Sequence, residues 1–117
     1  MRFLLMNCSN VNRDQTMSEA ERGAEWNAYL QYTQEAIAAG VMKGGEGLVS
    51  PAMATTVRIR DGKTLTTDGP FAETSEQLAG FYIVEVESID QAIQWASKIP
   101  AALHGAVEIR PIIEING

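Results

Sequence analysis

Two segments of the chain combine a helix-start signal with an apolar stripe on one side, and strand-like segments lie before and after each of them. Ser18 and Glu21 have the spacing of a capping box, in which side chains satisfy unpaired backbone N–H groups of the first turn. The same spacing recurs at Ser88 and Gln91. The first helix is predicted to end at Gly40, where a left-handed stop is favoured. Alternating helices and strands in one short chain restrict the fold to a few layered arrangements.

Six segments have the alternation or the β-branched and aromatic composition that is typical of strands. They are residues 2–8, 41–49, 55–60, 63–67, 80–87 and 107–115. Asp61 and Gly62 predict a two-residue hairpin turn between the third and the fourth of these strands. The glycines within residues 41–49 indicate a bulge or a close backbone approach. Residues 72–78 are polar and are predicted to form a loop, with room for one helical turn.

This order predicts one α+β domain over residues 1–117, with a ferredoxin-like sheet of the βαββαβ type. Two right-handed β-α-β halves side by side place both helices on one face of an antiparallel sheet, and the hairpin is an insertion. The opposite face keeps apolar residues that need cover, and a second copy is the usual cover in a domain of this size. We therefore expect a homodimer in which the two sheets face each other.

The composition excludes several classes of function. Nine Lys and Arg against fifteen Asp and Glu give a net charge of −6, and the positive residues are scattered, so nucleic acid is not expected as a partner. Cys8 and His104 are each the only residue of their type, which argues against a disulfide, a protein-only metal site and a metal cofactor. No apolar run approaches the roughly 20 residues of a membrane span, and no signal-peptide core is found. We expect a cytoplasmic protein without membrane contact or cofactor.

Residues 67–74, with the sequence TDGPFAET, resemble the signature of the DGPF-motif proteins within the YCII-related family. Residues 80–82 (GFY) and 108–111 (EIRP) are similar to family segments as well, so the resemblance covers essentially the whole chain. It implies a dimeric α+β barrel of ferredoxin-like halves, a cleft between the helix face and the loops, and no established general activity. Relatives commonly have Lys where this chain has Ser75, so a role for a cation at that position is not carried over. Some relatives are proposed to use a His and Asp pair with the His in the first helical region, but this chain has no His before His104, so that pair is not carried over.

Asp68 is the first candidate for chemistry, because it precedes the Gly-Pro turn of this signature. Its structural role would be a cap that accepts hydrogen bonds from backbone N–H groups. Its functional role would be a general base or a ligand contact, since the neighbouring Phe71 can desolvate a carboxylate and raise its pKa. Phe71 itself is predicted to be a core plug, with a substrate platform as the alternative. Cys8, Trp26 and Tyr29 are expected to be buried in the core.

Glu108 and Arg110 are two apart on a predicted strand, so their side chains point the same way and can form a salt bridge or bind a polar ligand together. If this face is buried in the dimer, Arg110 needs a carboxylate partner. The candidate carboxylate partners of Arg110 are Glu108, Glu73 and Asp68. Histidine is the residue type that titrates near neutrality when it is unperturbed. We expect His104 in an exposed loop, with a catalytic role as the alternative.

Two functions remain open. The first is a small-molecule-binding enzyme that performs acid/base chemistry near the DGPF turn, with Asp68 and His104 as catalytic residues. Its substrate-binding residues would be Phe71, Glu73, Glu108 and Arg110. The second is a non-catalytic dimeric interaction or regulatory module in which the DGPF turn is structural.

Overall fold

The computed structural model describes residues 1–115, which form six strands and four helices. In chain order these are β1 (Arg2–Asn10), α1 (Val11–Thr16), α2 (Glu19–Ala38), β2 (Met42–Gly47), β3 (Thr55–Arg60), β4 (Lys63–Asp68), β5 (Glu76–Glu85), α3 (Ile89–Ser97), α4 (Ala101–His104) and β6 (Ala106–Pro111). A short 3₁₀ turn at Pro51–Met53 precedes β3. The chain is therefore an α+β protein.

The main sheet has four strands in the order β2-β5-β1-β6, and every neighbouring pair is antiparallel. β1 and β2 therefore run in the same direction with β5 between them, and α2 connects them. β5 and β6 likewise lie on either side of β1 and are joined through α3 and α4. Each helical connection thus skips one strand of the sheet.

The core lies between this sheet and the helices. Alternate residues of β1, beginning with Phe3 and Leu5, are buried on the side that faces the helices. The ring of Tyr32 in α2 packs on Tyr82 and Trp95, with centroid separations of 5.0 and 6.2 Å. The other buried apolar residues are Ala36, Val84, Val86, Ala92, Ala96, Ile99 and Ala101. Both long helices are thereby fixed to one side of the sheet.

The other side of the sheet is called the open sheet face below. Leu4 pairs with Ile83 and Met6 pairs with Phe81, and these four side chains are half-buried and lie outside the core cluster. Cys8 lies on this face too, so the expectation that it is buried in the core is wrong. Its partial burial raises the pKa of its thiol. Apolar residues on this side of the sheet are the reason why a second copy of the chain is expected to cover it.

The predicted helix starts are confirmed. The Ser18 side chain accepts a hydrogen bond from the Glu21 backbone, and the Glu21 carboxylate accepts one from the Ser18 backbone. Ser88 accepts from the Gln91 backbone at the start of α3. Gly40, two residues after α2, has the left-handed φ of 77° that was expected there. None of the described helices is long and apolar enough to cross a membrane.

Several boundaries differ from the prediction. Residues 76–78 were expected in a loop but belong to β5, because β1 extends to Asn10 and pairs with them. The short helices α1 and α4 and the 3₁₀ turn were not predicted. The last strand ends at Pro111, although strand pairing was expected to continue to residue 115. At residues 76–78, pairing with distant residues overrides the local pattern.

The predicted hairpin is present. Asp61 and Gly62 join β3 to β4 with φ angles of 52° and 73°. The two strands form a sheet of their own, here called the arm (residues 55–68), in which no residue is buried. The radius of gyration of the Cα atoms is 16.2 Å, against about 13 Å for a compact domain of this length. The arm thus projects from the rest of the described chain, which is called the body.

Candidate functional site

A cavity of about 410 Å³ lies between α2 and the helix-facing side of the sheet. We call it the helix-side cavity. Its roof is formed by α2, and its floor by β1, β2 and β5. The roof residues are Trp26, Tyr29, Leu30 and Thr33, and the floor residues include Asn7, Gly47, Ala79, Gly80 and Tyr82. A second cavity of about 290 Å³ shares Ser9, Asp14 and Arg22 with it, so the space continues past α1.

Glycines form part of the cavity floor, since Gly47 and Gly80 line it. A Cβ atom on Gly45, which has φ of 159°, would lie 2.7 Å from the Phe81 carbonyl oxygen, and one on Gly80 would lie 2.9 Å from that of Glu46. Only glycine lets β2 and β5 approach this closely. The expected close approach in this glycine-rich segment is confirmed.

Asn7 is the most informative residue of the floor. It follows Phe3 and Leu5 on the helix-facing side of β1, is 4% exposed, and lines the cavity. Its Oδ1 atom accepts no hydrogen bond from the described residues. A buried amide oxygen without a partner costs free energy, on the order of 1–3 kcal/mol. A ligand that donates a hydrogen bond there would remove that cost.

A network of charged side chains forms the wall beside α1. Ser9 Oγ donates to Asp14 Oδ1 at 2.8 Å, and Arg13 Nη1 lies 3.3 Å from the same oxygen. Arg13 Nη2 donates to Glu25 Oε2 at 2.9 Å. His104 Nε2 lies 3.7 Å from that Glu25 oxygen. The hydrogen bond to Glu25 raises the pKa of Arg13, so the guanidinium stays charged and holds both carboxylates in place.

Two tyrosine hydroxyls belong to the same region. Burial raises the pKa of Tyr29 to about 12, so this phenol keeps its proton at neutral pH and can donate a hydrogen bond. The Tyr82 hydroxyl lies 3.3 Å from Thr33 Oγ1. The helix-side cavity therefore combines apolar walls with an acceptor, a donor and carboxylates, the usual make-up of a small-molecule site.

The predicted catalytic residues are not brought together. Asp68 is the exposed last residue of β4, in the arm, and is not among the residues that line the helix-side cavity. Its carboxylate accepts no hydrogen bond from the described residues, so the expected cap is absent. His104 is closer, because it contacts the cavity residue Glu25. The expectation that His104 is an exposed loop residue is wrong, since it ends α4 and its side chain is only 17% exposed.

The predicted substrate-binding residues lie elsewhere. Phe71 is 80% exposed, so its prediction as a core plug is wrong, because no element packs over the turn that carries it. Glu73 is exposed in the segment that follows. Glu108 and Arg110 form the expected ion pair, with 2.6 Å between Arg110 Nε and Glu108 Oε2. That pair is exposed within this chain and lies on the open sheet face, opposite the helix-side cavity.

The sequence interpretation missed the residues that do line the cavity, above all Asn7, Asp14 and Glu25. Trp26 was assigned to the core, but it is 66% exposed at the cavity rim. The sequence does contain one signal for this site. Along the helix-facing side of β1, the apolar residues Phe3 and Leu5 are followed by polar residues. A polar residue in a buried register indicates a gap in the core. Within residues 1–115, no group of three or more His, Cys, Asp and Glu side chains is placed to hold a metal ion.

Comparison with known proteins identifies the family. A family model described as the YCII-related domain matches residues 1–116. An uncharacterised protein of Rhizobium meliloti (strain 1021) is 43% identical over 67 residues, which are 56% of this chain and 54% of the relative. The chain thus spans about half the length of the curated relative it matches. Because the family model covers nearly all of the sequence, the chain belongs to the YCII-related family.

Proposed function

We propose that this protein is a small-molecule-binding enzyme and that its site is the helix-side cavity. The observation that carries the proposal is the unpartnered Asn7 Oδ1 on the floor of a cavity of about 410 Å³. That volume falls in the range of known small-molecule pockets, roughly 300–1,000 Å³. The ligand would be a largely apolar molecule that donates one hydrogen bond to Asn7.

The reaction class that fits these groups is proton abstraction. Asp14 is the proton acceptor, because Ser9 and Arg13 both engage its Oδ1 atom and leave Oδ2 without a partner among the described residues. Tyr29 is protonated and donates to the oxygen on which negative charge develops. His104 acts as a positioning residue, since it reaches the cavity through Glu25. This proposal moves the acid/base chemistry away from the DGPF turn.

The test starts with a thermal-shift screen of small aromatic and carbonyl metabolites, because a ligand that binds the folded state raises its melting temperature. Hits are then incubated with the enzyme in D₂O, and C–H to C–D exchange is followed by NMR. Asp14→Asn should abolish exchange, and Tyr29→Phe should slow it at least tenfold. Arg110→Gln, on the opposite face, is the matched control and should behave as the parent. Hits that exchange equally fast with the parent, Asp14→Asn and Tyr29→Phe would contradict the site.

A second candidate is the dimeric interaction module, and the exposed aromatic ring of Phe71 favours it. In this function Asp68, Phe71 and Glu73 form a contact surface. The TDGPFAET segment supports a place in the DGPF subgroup. The helical connections that each skip one strand support the ferredoxin-like arrangement.

For either function we propose a homodimer that forms through the open sheet face, with the half-buried Leu4, Met6, Phe81 and Ile83 as support. Analytical ultracentrifugation at micromolar concentration should give about twice the mass of one chain. A monomer under these conditions would contradict the dimer. A cytoplasmic location stays a prediction.

A further inference from the structure

Arg22, in the second turn of α2, differs from the other cationic residues of the body. Each of the others forms an ion pair with a carboxylate: Arg2, Arg13, Lys43, Lys98 and Arg110. Arg22 forms no ion pair with a described residue, although the chain has fifteen Asp and Glu against nine Lys and Arg. Among residues 1–115, no carboxylate compensates the charge of this guanidinium.

Backbone carbonyl groups hold the Arg22 guanidinium in place. Its Nε atom donates to the Met17 carbonyl oxygen at 3.3 Å, and its Nη2 atom donates to the Asp14 carbonyl oxygen at 3.0 Å. A side chain that is already held loses less conformational entropy when it binds a ligand. The remaining N–H groups of a guanidinium form charge-assisted hydrogen bonds with carboxylates. Arg22 is therefore oriented before a ligand binds.

Arg22 lies where the two cavities meet. It lines both the helix-side cavity and the second cavity of about 290 Å³, as Asp14 does. Asn7 lines the helix-side cavity and does not line the second one. A ligand that donates its hydrogen bond to Asn7 and extends toward the second cavity therefore reaches Arg22.

The charges at this junction favour an anionic ligand group over a cationic one. Arg13 Nη1 lies 3.3 Å from Asp14 Oδ1, and Arg13 Nη2 lies 2.9 Å from Glu25 Oε2, so each carboxylate of the wall already has a cation beside it. Arg22 is the charged group that has no such partner among the described residues. A charge beside apolar walls is stabilised by an opposite charge. Because a single cation matches a single negative charge, a carboxylate fits better than a dianionic phosphate.

We infer that the ligand of the proposed site is an aromatic carboxylic acid, with its ring under α2, its hydrogen-bond donor at Asn7 and its carboxylate at Arg22. The inference rests on the proposed function and specifies its substrate class. The ring is expected because Trp26, Tyr29 and Tyr82 line the helix-side cavity. A hydroxyl group on that ring supplies the hydrogen bond to Asn7.

The test compares matched probes by isothermal titration calorimetry. Two acids of different length, para-hydroxyphenylacetate and para-hydroxyphenylpropionate, are each paired with the neutral primary amide, and tyramine is the cationic counterpart. At least one acid should bind about tenfold or more tightly than its amide, because only the acid forms a charge-assisted contact.

Substitution of Arg22 should remove this preference. Arg22→Gln should weaken the acid to the affinity of its amide and leave the amide within about twofold of its parent affinity, while Arg22→Lys should keep part of the preference. Arg60→Gln is the matched control. It removes the same charge, and the Arg60 guanidinium likewise donates to a backbone carbonyl oxygen, that of Ile59, but Arg60 lies in the arm. This variant should bind every probe as the parent does, and thermal denaturation checks that all variants are folded.

Each other outcome contradicts the inference in its own way. Acids and amides that bind the parent equally, with affinities unchanged in Arg22→Gln, would overturn it and leave a neutral ligand in the helix-side cavity. Tyramine that binds more tightly than both acids, or an equal loss of acid and amide in Arg22→Gln, would also overturn it. So would acids that do not bind at all, and the thermal-shift screen then judges the cavity separately. An Arg22-dependent acid that shows no C–H exchange would support the inference and remove the proposed reaction.

Discussion

The body and the arm contain strands of similar length, yet they are held together in different ways. In the body, Phe3, Leu5, Val84 and Ile99 are almost completely buried between the sheet and the helices. In the arm, a local ladder and the turn at Asp61 and Gly62 hold two strands with no buried residue. The alternating pattern of β3 predicts one solvent-exposed side and one buried side. It does not indicate which chain covers the buried side. Alternation identifies a strand, and only the three-dimensional arrangement identifies its cover.

The largest difference between the two regions should appear on truncation of an apolar side chain. Leu5 is 0% exposed, so Leu5→Ala should lower the free energy of unfolding by about 2–5 kcal/mol, because packing is lost and a cavity remains. Ile59 is 65% exposed in the arm, and Ile59→Ala should cost less than about 0.5 kcal/mol in the dissociated chain. Urea denaturation below the dimer dissociation constant measures both. Similar losses at the two positions would show that the arm shares the core.

Local signals account for the parts of the fold that could be predicted from the sequence. Ser18 with Glu21 fixed the start of α2, and Asp61 with Gly62 fixed the arm turn, because both features are decided by neighbours in the chain. Residues 76–78 could not be assigned, since their polar composition is overridden by pairing with the far end of β1.

The candidate site was harder to predict than the fold. Its residues come from β1, α1, α2, β2 and β5, so no motif in the sequence holds them together. Trp26 was expected in the core, but it lies exposed at the rim of this cavity. The DGPF signature made Asp68 and Phe71 the first candidates, but both side chains are exposed to solvent in the structure. Of the predicted site residues, only His104 touches a side chain of the cavity wall.

Substitutions at two glycines, one at the base of the arm and one in the body, should change stability in opposite directions. Gly69, at the base of the arm, has φ of 100°, so Gly69→Val should destabilise the protein by about 1 kcal/mol or more, since a β-branched residue is strained there. Gly23 lies within α2, where an added Cβ atom would meet nothing within 4 Å, and Gly23→Ala should stabilise the protein by about 0.5–1 kcal/mol. Thermal denaturation of both variants provides the measurement. A neutral Gly69→Val would show that the arm base does not need this backbone conformation.

The smallest effects on stability are expected at the two charged residues that the sequence favoured for function. Asp68 is exposed in the arm, and Asp68→Asn should change the free energy of unfolding by less than about 0.5 kcal/mol. Arg110→Gln removes an ion pair whose side chains are 71% and 52% exposed, which is worth about 1 kcal/mol or less. Neither residue lines the helix-side cavity, so both variants should keep every thermal-shift response and the full exchange rate of the parent. A loss of ligand response in Asp68→Asn with an unchanged melting temperature would return the chemistry to the DGPF turn and argue against Asp14 as the base.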